Sequence, residues 1–185
     1  MMENDMCIIP YYNAEAYAIT AHASTNHFYD DYLPYEFHLR IAIRNYKRFI
    51  HLIPQEDRLH VVNGIWLHDA IEDARLSYND ILKETKSKIT AEIARACTNY
   101  TRGRNRDERM PDFVYEDIRN TQYATFAKLC DRMANVQYSK MIGSNKFQMY
   151  KDEHEHFSDQ LRHVDNLLPM WEYLDRLFTD SSFYF

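Results

Sequence analysis

The stretch "WLHDAIED", Trp66 to Asp73, places a histidine and three carboxylates in a segment whose apolar residues otherwise predict a buried helix. Burying charge is costly unless the charged group is paired or coordinates an ion. If the stretch is helical, His68, Asp69 and Glu72 lie on one side, because residues three and four apart are neighbours. Asp73 then lies one turn beyond Asp69. The segment therefore predicts a helix whose polar side either forms ion pairs with neighbouring residues or coordinates an ion.

The composition of the whole chain predicts an all-α protein. Its 185 residues suit one domain, and hydrophobic residues make up 45% while Gly (3) and Pro (5) are scarce. A net charge of −6 argues against general nucleic-acid binding, which needs a basic surface. No apolar run approaches the roughly 20 residues that span a bilayer, and the N-terminus lacks a basic signal-peptide region. We therefore expect a cytoplasmic protein without a membrane segment.

The periodicity of apolar residues predicts a single globule of about seven helices over residues 1–185. A motif-bearing core covers about 14–138, and C-terminal helices cover 146–178. One continuous helix is predicted over about 56–74, and Ser77 is the expected N-cap of a short helix that follows. The segment "TRGRNRDERMP", residues 101–111, is the most loop-like part of the chain.

Two further residues could complete a metal site around His68 and Asp69. His38 lies in "PYEFHL", and Asp131 interrupts an apolar helix in "KLCDRMANV". Two histidines and two carboxylates form a mixed nitrogen and oxygen site that suits Mn, Fe, Co or Zn. Taken singly, His38 is as compatible with a capping or core histidine, and Asp131 with a buried acid paired to a neighbouring Arg132 or Lys128.

The order of these residues resembles the H…HD…D signature of HD-domain metal-dependent phosphohydrolases. The closest resemblance is to the RelA/SpoT-type alarmone hydrolases and their small stand-alone relatives. It lies in "AHASTNHFYDDYLPYEFH", "WLHDAIEDARLSYNDI" and "KLCDRMANV", which occur in the family's order and cover about residues 14–138. The resemblance implies an all-α HD-domain fold.

The resemblance also implies the roles of individual residues. It implies that His38, His68, Asp69 and Asp131 bind one divalent transition metal, with Mn²⁺ as the expected ion and Fe²⁺, Co²⁺ or Zn²⁺ as alternatives. Glu72 and Asp73 match an acidic pair that activates and positions the attacking water, although a solvated helix end is the simpler alternative for both. Asn135 matches an asparagine that lines the substrate pocket.

The chain departs from the family at the nucleotide-recognition positions. Where alarmone hydrolases carry an Arg-Lys pair, this chain has His27 and Phe28. Phe28 can still stack on a base, but the cationic contact is lost. Arg106 and Arg109 of the loop could instead bind phosphates, although a solvated loop is nearly as compatible with the sequence.

The expected function is hydrolysis of a phosphate or pyrophosphate ester of a nucleotide, of the alarmone pyrophosphohydrolase type. The partner is then a nucleotide or another phosphorylated small molecule. Two alternatives stay open, an HD-type nucleotidase that releases free phosphate and a nucleotide-sensing protein without turnover. An oligomer is compatible with the sequence.

Overall fold

The computed structural model describes residues 14–98, 110–163 and 166–183, and within these ranges it confirms the all-α fold. A two-stranded antiparallel hairpin, β1 (Phe28–Tyr29) and β2 (Leu33–Pro34), lies in the linker between the first two helices. The helices are α1 (Ala14–Ser24), α2 (Glu36–Phe49), α3 (Arg58–Trp66), α4 (Ala70–Asp73), α5 (Tyr78–Thr85), α6 (Lys88–Cys97), α7 (Asp112–Asn120), α8 (Ala124–Met141), α9 (Asn145–Asp152), α10 (His154–Leu161) and α11 (Leu168–Thr179), with a 3₁₀ turn at Ile50–Leu52.

Serine side chains begin several of these helices. Ser77 caps α5, and its hydroxyl accepts a hydrogen bond from the backbone of Asp80, whose carboxylate accepts one in return from the Ser77 backbone. This capping box confirms the predicted N-cap. Ser87 caps α6 through its hydroxyl alone, which accepts a hydrogen bond from the backbone of Thr90 at 3.1 Å.

Helix α8 is the central element of the fold. Nearly all of its residues are buried, and α2, α3, α6, α7, α9 and α11 pack against it. One hydrophobic cluster includes residues from α1 to α11. A polar residue inside α8, such as Asp131, is therefore surrounded by protein and needs partners from the neighbouring helices.

A buried polar network fixes the register of α2 against α8. The side chains of Asn45 and Gln137 exchange hydrogen bonds of 3.0 and 3.2 Å, and Gln137 also donates to the hydroxyl of Tyr173 at 2.9 Å. Asn45 follows His38 by two helical turns, and Gln137 follows Asp131 by six residues. The two helices are therefore parallel, and their matched register brings His38 opposite Asp131.

The predicted continuous helix over 56–74 was wrong at its centre. α3 ends at Trp66, and a turn of three residues, Leu67 to Asp69, separates it from α4. The amide of Leu67 is shared between the carbonyl oxygens of Asn63 and Gly64 at 3.1 and 3.2 Å, which closes the helix. This turn carries His68 and Asp69, so their relative placement differs from that expected on one helix.

Two other differences concern helix boundaries. α7 was not predicted, although Val114, Tyr115 and Ile118 form its buried side. Within the C-terminal helices expected over 146–178, the first part is divided at Glu153 into α9 and α10. The fold consequently has more and shorter helices than the seven expected. Among the described helices, none combines the length and the apolar character needed to cross a membrane.

Candidate metal centre

Three predicted ligands meet in a buried cluster. His38 lies in the first turn of α2, His68 in the turn between α3 and α4, and Asp131 in the middle of α8. Nε2 of His38 lies 3.3 Å from Nε2 of His68 and 3.4 Å from Oδ1 of Asp131, and His68 Nε2 lies 3.7 Å from the same oxygen. The ligand atoms of this group all lie within 4.8 Å of one another, so the group could hold a metal ion.

Asp69 borders the same cluster. Its Oδ2 lies 2.8 Å from Nε2 of His68 and 3.5 Å from Nε2 of His38. Donor atoms bound to one ion at about 2.1 Å lie about 3.0–3.4 Å apart in tetrahedral and octahedral sites. The observed separations bracket that range. A donor set of two imidazoles and two carboxylates suits divalent transition metals as a class, so the residues fit an ion of this kind.

The backbone of the turn explains how two adjacent residues reach one point. On a continuous helix the side chains of His68 and Asp69 would diverge by about 100°. Leu67 and Asp69 instead have φ values of −106° and −103° with ψ near zero, outside regular helix. The chain changes direction between the two helices, and both side chains enter the cluster.

The ring of His68 is oriented by a hydrogen bond on its far side. Nδ1 lies 2.8 Å from the carbonyl oxygen of Ile65. Because a carbonyl oxygen only accepts, Nδ1 donates this hydrogen bond, and Nε2 is the nitrogen that would offer its lone pair to a metal once the ring loses its second proton. A ligand histidine commonly has this arrangement, since the second hydrogen bond fixes the tautomer and the ring plane.

The charges of the cluster are strongly coupled. Burial lowers the pKa of His38, but hydrogen bonds to Asp131 and Asp69 outweigh burial and raise that pKa above its ordinary value. Burial also lowers the pKa of His68, but the charge of Asp69 and a hydrogen bond to Asp131 outweigh burial and raise that pKa well above its ordinary value. Asp69 and Asp131 thus favour the protonated forms of both histidines. A divalent cation bound in the cluster would supply this positive charge in place of the two protons.

Asp131 has two further partners on its own helix. Lys128, one turn earlier, lies 3.1 Å from Oδ2, and Nδ2 of Asn135 donates to Oδ1 at 2.6 Å. Of the two cationic partners considered for Asp131, Lys128 is therefore present. Arg132 instead forms an ion pair with Glu153 at 3.0 Å. Burial raises the pKa of Asp131, but Lys128 and the two histidines outweigh it and hold the pKa well below its ordinary value.

Two tyrosines that the sequence reasoning did not single out enclose the cluster. The hydroxyl of Tyr35 donates to Oδ2 of Asp69, and the hydroxyl of Tyr29 donates to Oδ1 of Asn135 at 3.0 Å. Tyr35 could have been identified from its spacing, because it lies three residues before His38 and therefore on the same side of the helix. Tyr29 lies in β1, and nothing in its local pattern connected it with α8.

The acidic pair after the turn has two different environments. Glu72 is exposed, whereas Asp73 is half-buried and its Oδ2 lies 4.0 Å from Nε2 of His27. Burial, followed by the charges of Asp69 and Glu72, raises the pKa of Asp73 to about 7. Both residues lie at the end of α4, directly after the turn that carries His68 and Asp69. Their catalytic roles stay predictions.

The predicted substrate residues have different positions. Phe28 is half-exposed and lines a cavity of about 260 Å³ with His27 and Tyr35, beside the cluster. Asn135 forms hydrogen bonds with Asp131 and Tyr29, so its observed contacts orient a candidate metal ligand. Arg106 and Arg109 lie outside the described residues.

Comparison with known proteins adds no family to this geometry. No family model matches the chain, no curated protein matches it, and no solved structure matches it.

Proposed function

We propose that the chain is a metal-dependent phosphohydrolase that cleaves a phosphate or pyrophosphate ester of a nucleotide, as HD-domain enzymes do. The observation that carries this proposal is the convergence of residues that lie far apart in the sequence. His38, the pair His68 and Asp69, and Asp131 come from three elements and bring their ligand atoms together in a buried cluster. This is the residue order that the resemblance to the HD family singled out.

The cluster would hold one divalent ion, with Mn²⁺ as the proposed occupant. Such an ion lowers the pKa of a bound water toward neutrality and polarises a phosphoryl oxygen. The tyrosine hydroxyl on Asp69 and the amide and ammonium groups on Asp131 hold the two carboxylates in place. Fixed donors of this kind avoid reorganisation when substrate binds.

Asp73 and Glu72 would accept the proton of the attacking water and orient that water. Asp73 is the better placed as general base, because it is half-buried and close enough to the cluster for Asp69 and the two histidines to alter its pKa. A carboxylate that accepts this proton contributes about 10²–10⁴-fold to the rate. Glu72, on the exposed side, would orient the water or the substrate.

The cavity formed by His27, Phe28 and Tyr35 would receive the base or another flat part of the substrate. The rings of His27 and Tyr35 already stack at 4.1 Å between centroids, and Phe28 offers an exposed face at the rim. Asn135 at the cluster and Arg106 and Arg109 of the loop stay predicted substrate contacts.

A second candidate, a nucleotidase that releases free phosphate, is favoured by the charge of this cavity. Among the described residues that line it, Glu36 is charged and no Lys or Arg is present. The paired cations expected for a polyphosphorylated alarmone are replaced by His27 and Phe28. A substrate with one phosphate needs fewer cationic contacts, so this chemistry suits a monophosphate.

The test is incubation of the Mn²⁺-loaded protein with guanosine tetraphosphate and with nucleoside mono-, di- and triphosphates. Chromatography would then separate free phosphate from pyrophosphate. Pyrophosphate from the tetraphosphate supports the alarmone activity, and free phosphate from a monophosphate supports the nucleotidase. The Asp131→Asn variant should lose either activity. A metal-loaded protein that binds nucleotides but turns over none of them would instead be a sensor, and the proposed hydrolysis would be wrong.

A further inference from the structure

A second cavity, of about 400 Å³, lies on the opposite side of α2 from the metal centre. It is enclosed by the start of α1, the outer face of α2 and the adjoining face of α3. Helical geometry places Arg40, Arg44 and Lys47 within about 60° of one another and about 180–240° around the helix from His38. The cavity is therefore separate from the cluster, and none of the residues in the proposed reaction lines it.

One wall of this cavity is cationic. Arg40, Arg44 and Lys47 follow one another at intervals of four and three residues, so their side chains project on the same side of α2. Arg40 is paired with two carboxylates, Glu15 of the lining at 2.9 Å and Glu36 at 3.8 Å, so its charge is offset. Lys47 has no ion pair among the described residues. A net positive wall in a protein of net charge −6 favours an anionic ligand.

The facing wall is apolar and aromatic. Trp66 contributes an indole that is largely buried, with the guanidinium of Arg40 5.8 Å from its ring centroid. Leu59 and Val62, on the same helix, complete a surface on which a flat ring can lie. A ligand for this cavity thus combines an anionic group with a planar apolar part.

Asn63 adds an amide side chain to the lining of this cavity. The residue as a whole is 7% exposed. Within residues 14–98, 110–163 and 166–183, its side-chain amide forms no hydrogen bond. The amide atoms are not themselves fully buried, so solvent in the cavity can hydrate them when no ligand is bound. A molecule in the cavity would supply both a donor and an acceptor to this amide.

We propose that this cavity binds a nucleoside monophosphate. The phosphate would accept hydrogen bonds from Arg44 and Lys47, the base would lie against Trp66, and the Asn63 amide would pair with adjacent donor and acceptor groups on the base edge. Asparagine makes paired contacts of this type with adenine. The volume lies within the range of about 300–1,000 Å³ found for small-molecule sites.

The experiment is a titration of the Mn²⁺-loaded protein with each of the four common nucleoside monophosphates, followed by tryptophan fluorescence. The chain has two tryptophans, and Trp66 is the one in the cavity lining. We expect saturable quenching by at least one of these nucleotides, which disappears in Trp66→Phe. Adenosine and inorganic phosphate, each with half of the required chemistry, should bind much more weakly.

Variants then assign the site. Lys47→Ala and Asn63→Leu should each weaken binding about 10- to 100-fold, the usual effect of losing a charge-assisted or buried hydrogen bond. Asn63→Leu should leave the melting temperature close to that of the wild type, because the side-chain amide forms no hydrogen bond among the described residues that the variant would lose. Arg48→Ala, on the same helix but outside the cavity, is the matched charge control and should bind normally.

Three results would overturn the proposal. The first is no quenching by any of the four nucleotides at millimolar concentration. The second is quenching that persists unchanged in Lys47→Ala and Asn63→Leu, which would place the binding elsewhere, including at the metal centre. The third is equal affinity for inorganic phosphate, which would reduce the cavity to a simple anion site. None of these results depends on phosphohydrolase activity.

Discussion

At the scale of single residues, Glu72 and Asp73 show how neighbours in the sequence acquire different chemistry. Glu72 is exposed, whereas Asp73 is half-buried near two histidines and Asp69. The sequence identified the pair but could not rank its members, because burial depends on where α4 sits against the rest of the chain. The order of His38, His68 and Asp131 was readable, since each carries distinctive chemistry in an otherwise apolar context.

The first prediction ranks the two carboxylates. Asp73→Asn should bind metal normally and lose about 10²–10⁴-fold in turnover, because the amide keeps the shape of the side chain but accepts no proton from water. Glu72→Gln, its matched partner, should lose less. Steady-state kinetics on the best substrate, with metal content measured on the same samples, would show the order. A fully active Asp73→Asn would exclude Asp73 as the base.

The pH dependence of metal affinity follows from the two histidine ligands. The pKa values of His38 and His68 are raised in the protein without an ion, so protons must leave both rings before the metal binds. Below these pKa values the affinity should fall with each unit of pH, by up to about 100-fold when two protons are displaced. Titration calorimetry in buffers of different ionisation enthalpy would count the protons. A metal affinity that stays constant between about pH 8 and about pH 5 would contradict this prediction.

At the scale of elements, the break between α3 and α4 is the feature that local patterns could not show. Leu67 to Asp69 contains neither Gly nor Pro, and the surrounding apolar periodicity continues through it. No helix-breaking residue therefore marks the end of α3 at Trp66 in the sequence. Capping was more readable, since Ser77 was correctly identified as an N-cap. α7 was missed because its short apolar side follows the most polar segment of the chain.

The packing of α3 on α6 depends on Gly64. A Cβ at this position would lie 2.8–2.9 Å from three side-chain atoms of Ile93, which is fully buried. Gly64→Ala should gain about 1 kcal/mol in helix propensity. Overpacking typically costs about 1–3 kcal/mol, and because the contacts include the branched Cβ we expect a net loss of stability.

Chemical denaturation of a double-mutant cycle tests this contact. Gly64→Ala should cost less in an Ile93→Ala background, where two of the three close atoms are gone, and the difference between backgrounds is the coupling energy. Equal effects of Gly64→Ala in both backgrounds would mean that the α3–α6 contact is not limited by this glycine.

At the scale of the whole molecule, the candidate centre is a junction of α2, the turn after α3, and α8. Its candidate ligands are separated by up to 93 residues in the chain, from His38 to Asp131. The all-α class could be predicted from composition, and the meeting of His38, His68 and Asp131 from the motif resemblance. The tyrosine contacts and the parallel register of α2 and α8 could not, because they arise from side chains that meet only when the core is complete.

The most direct test of the central claim is the metal content of the purified, folded protein. Elemental analysis after loading with Mn²⁺ and removal of the excess should find about one ion per chain, as expected for one set of four ligands. His68→Ala and Asp131→Ala should lose most of it while keeping helical circular dichroism, and His51→Ala, an exposed histidine, should keep all of it. Wild-type metal content in folded His68→Ala and Asp131→Ala would contradict the account.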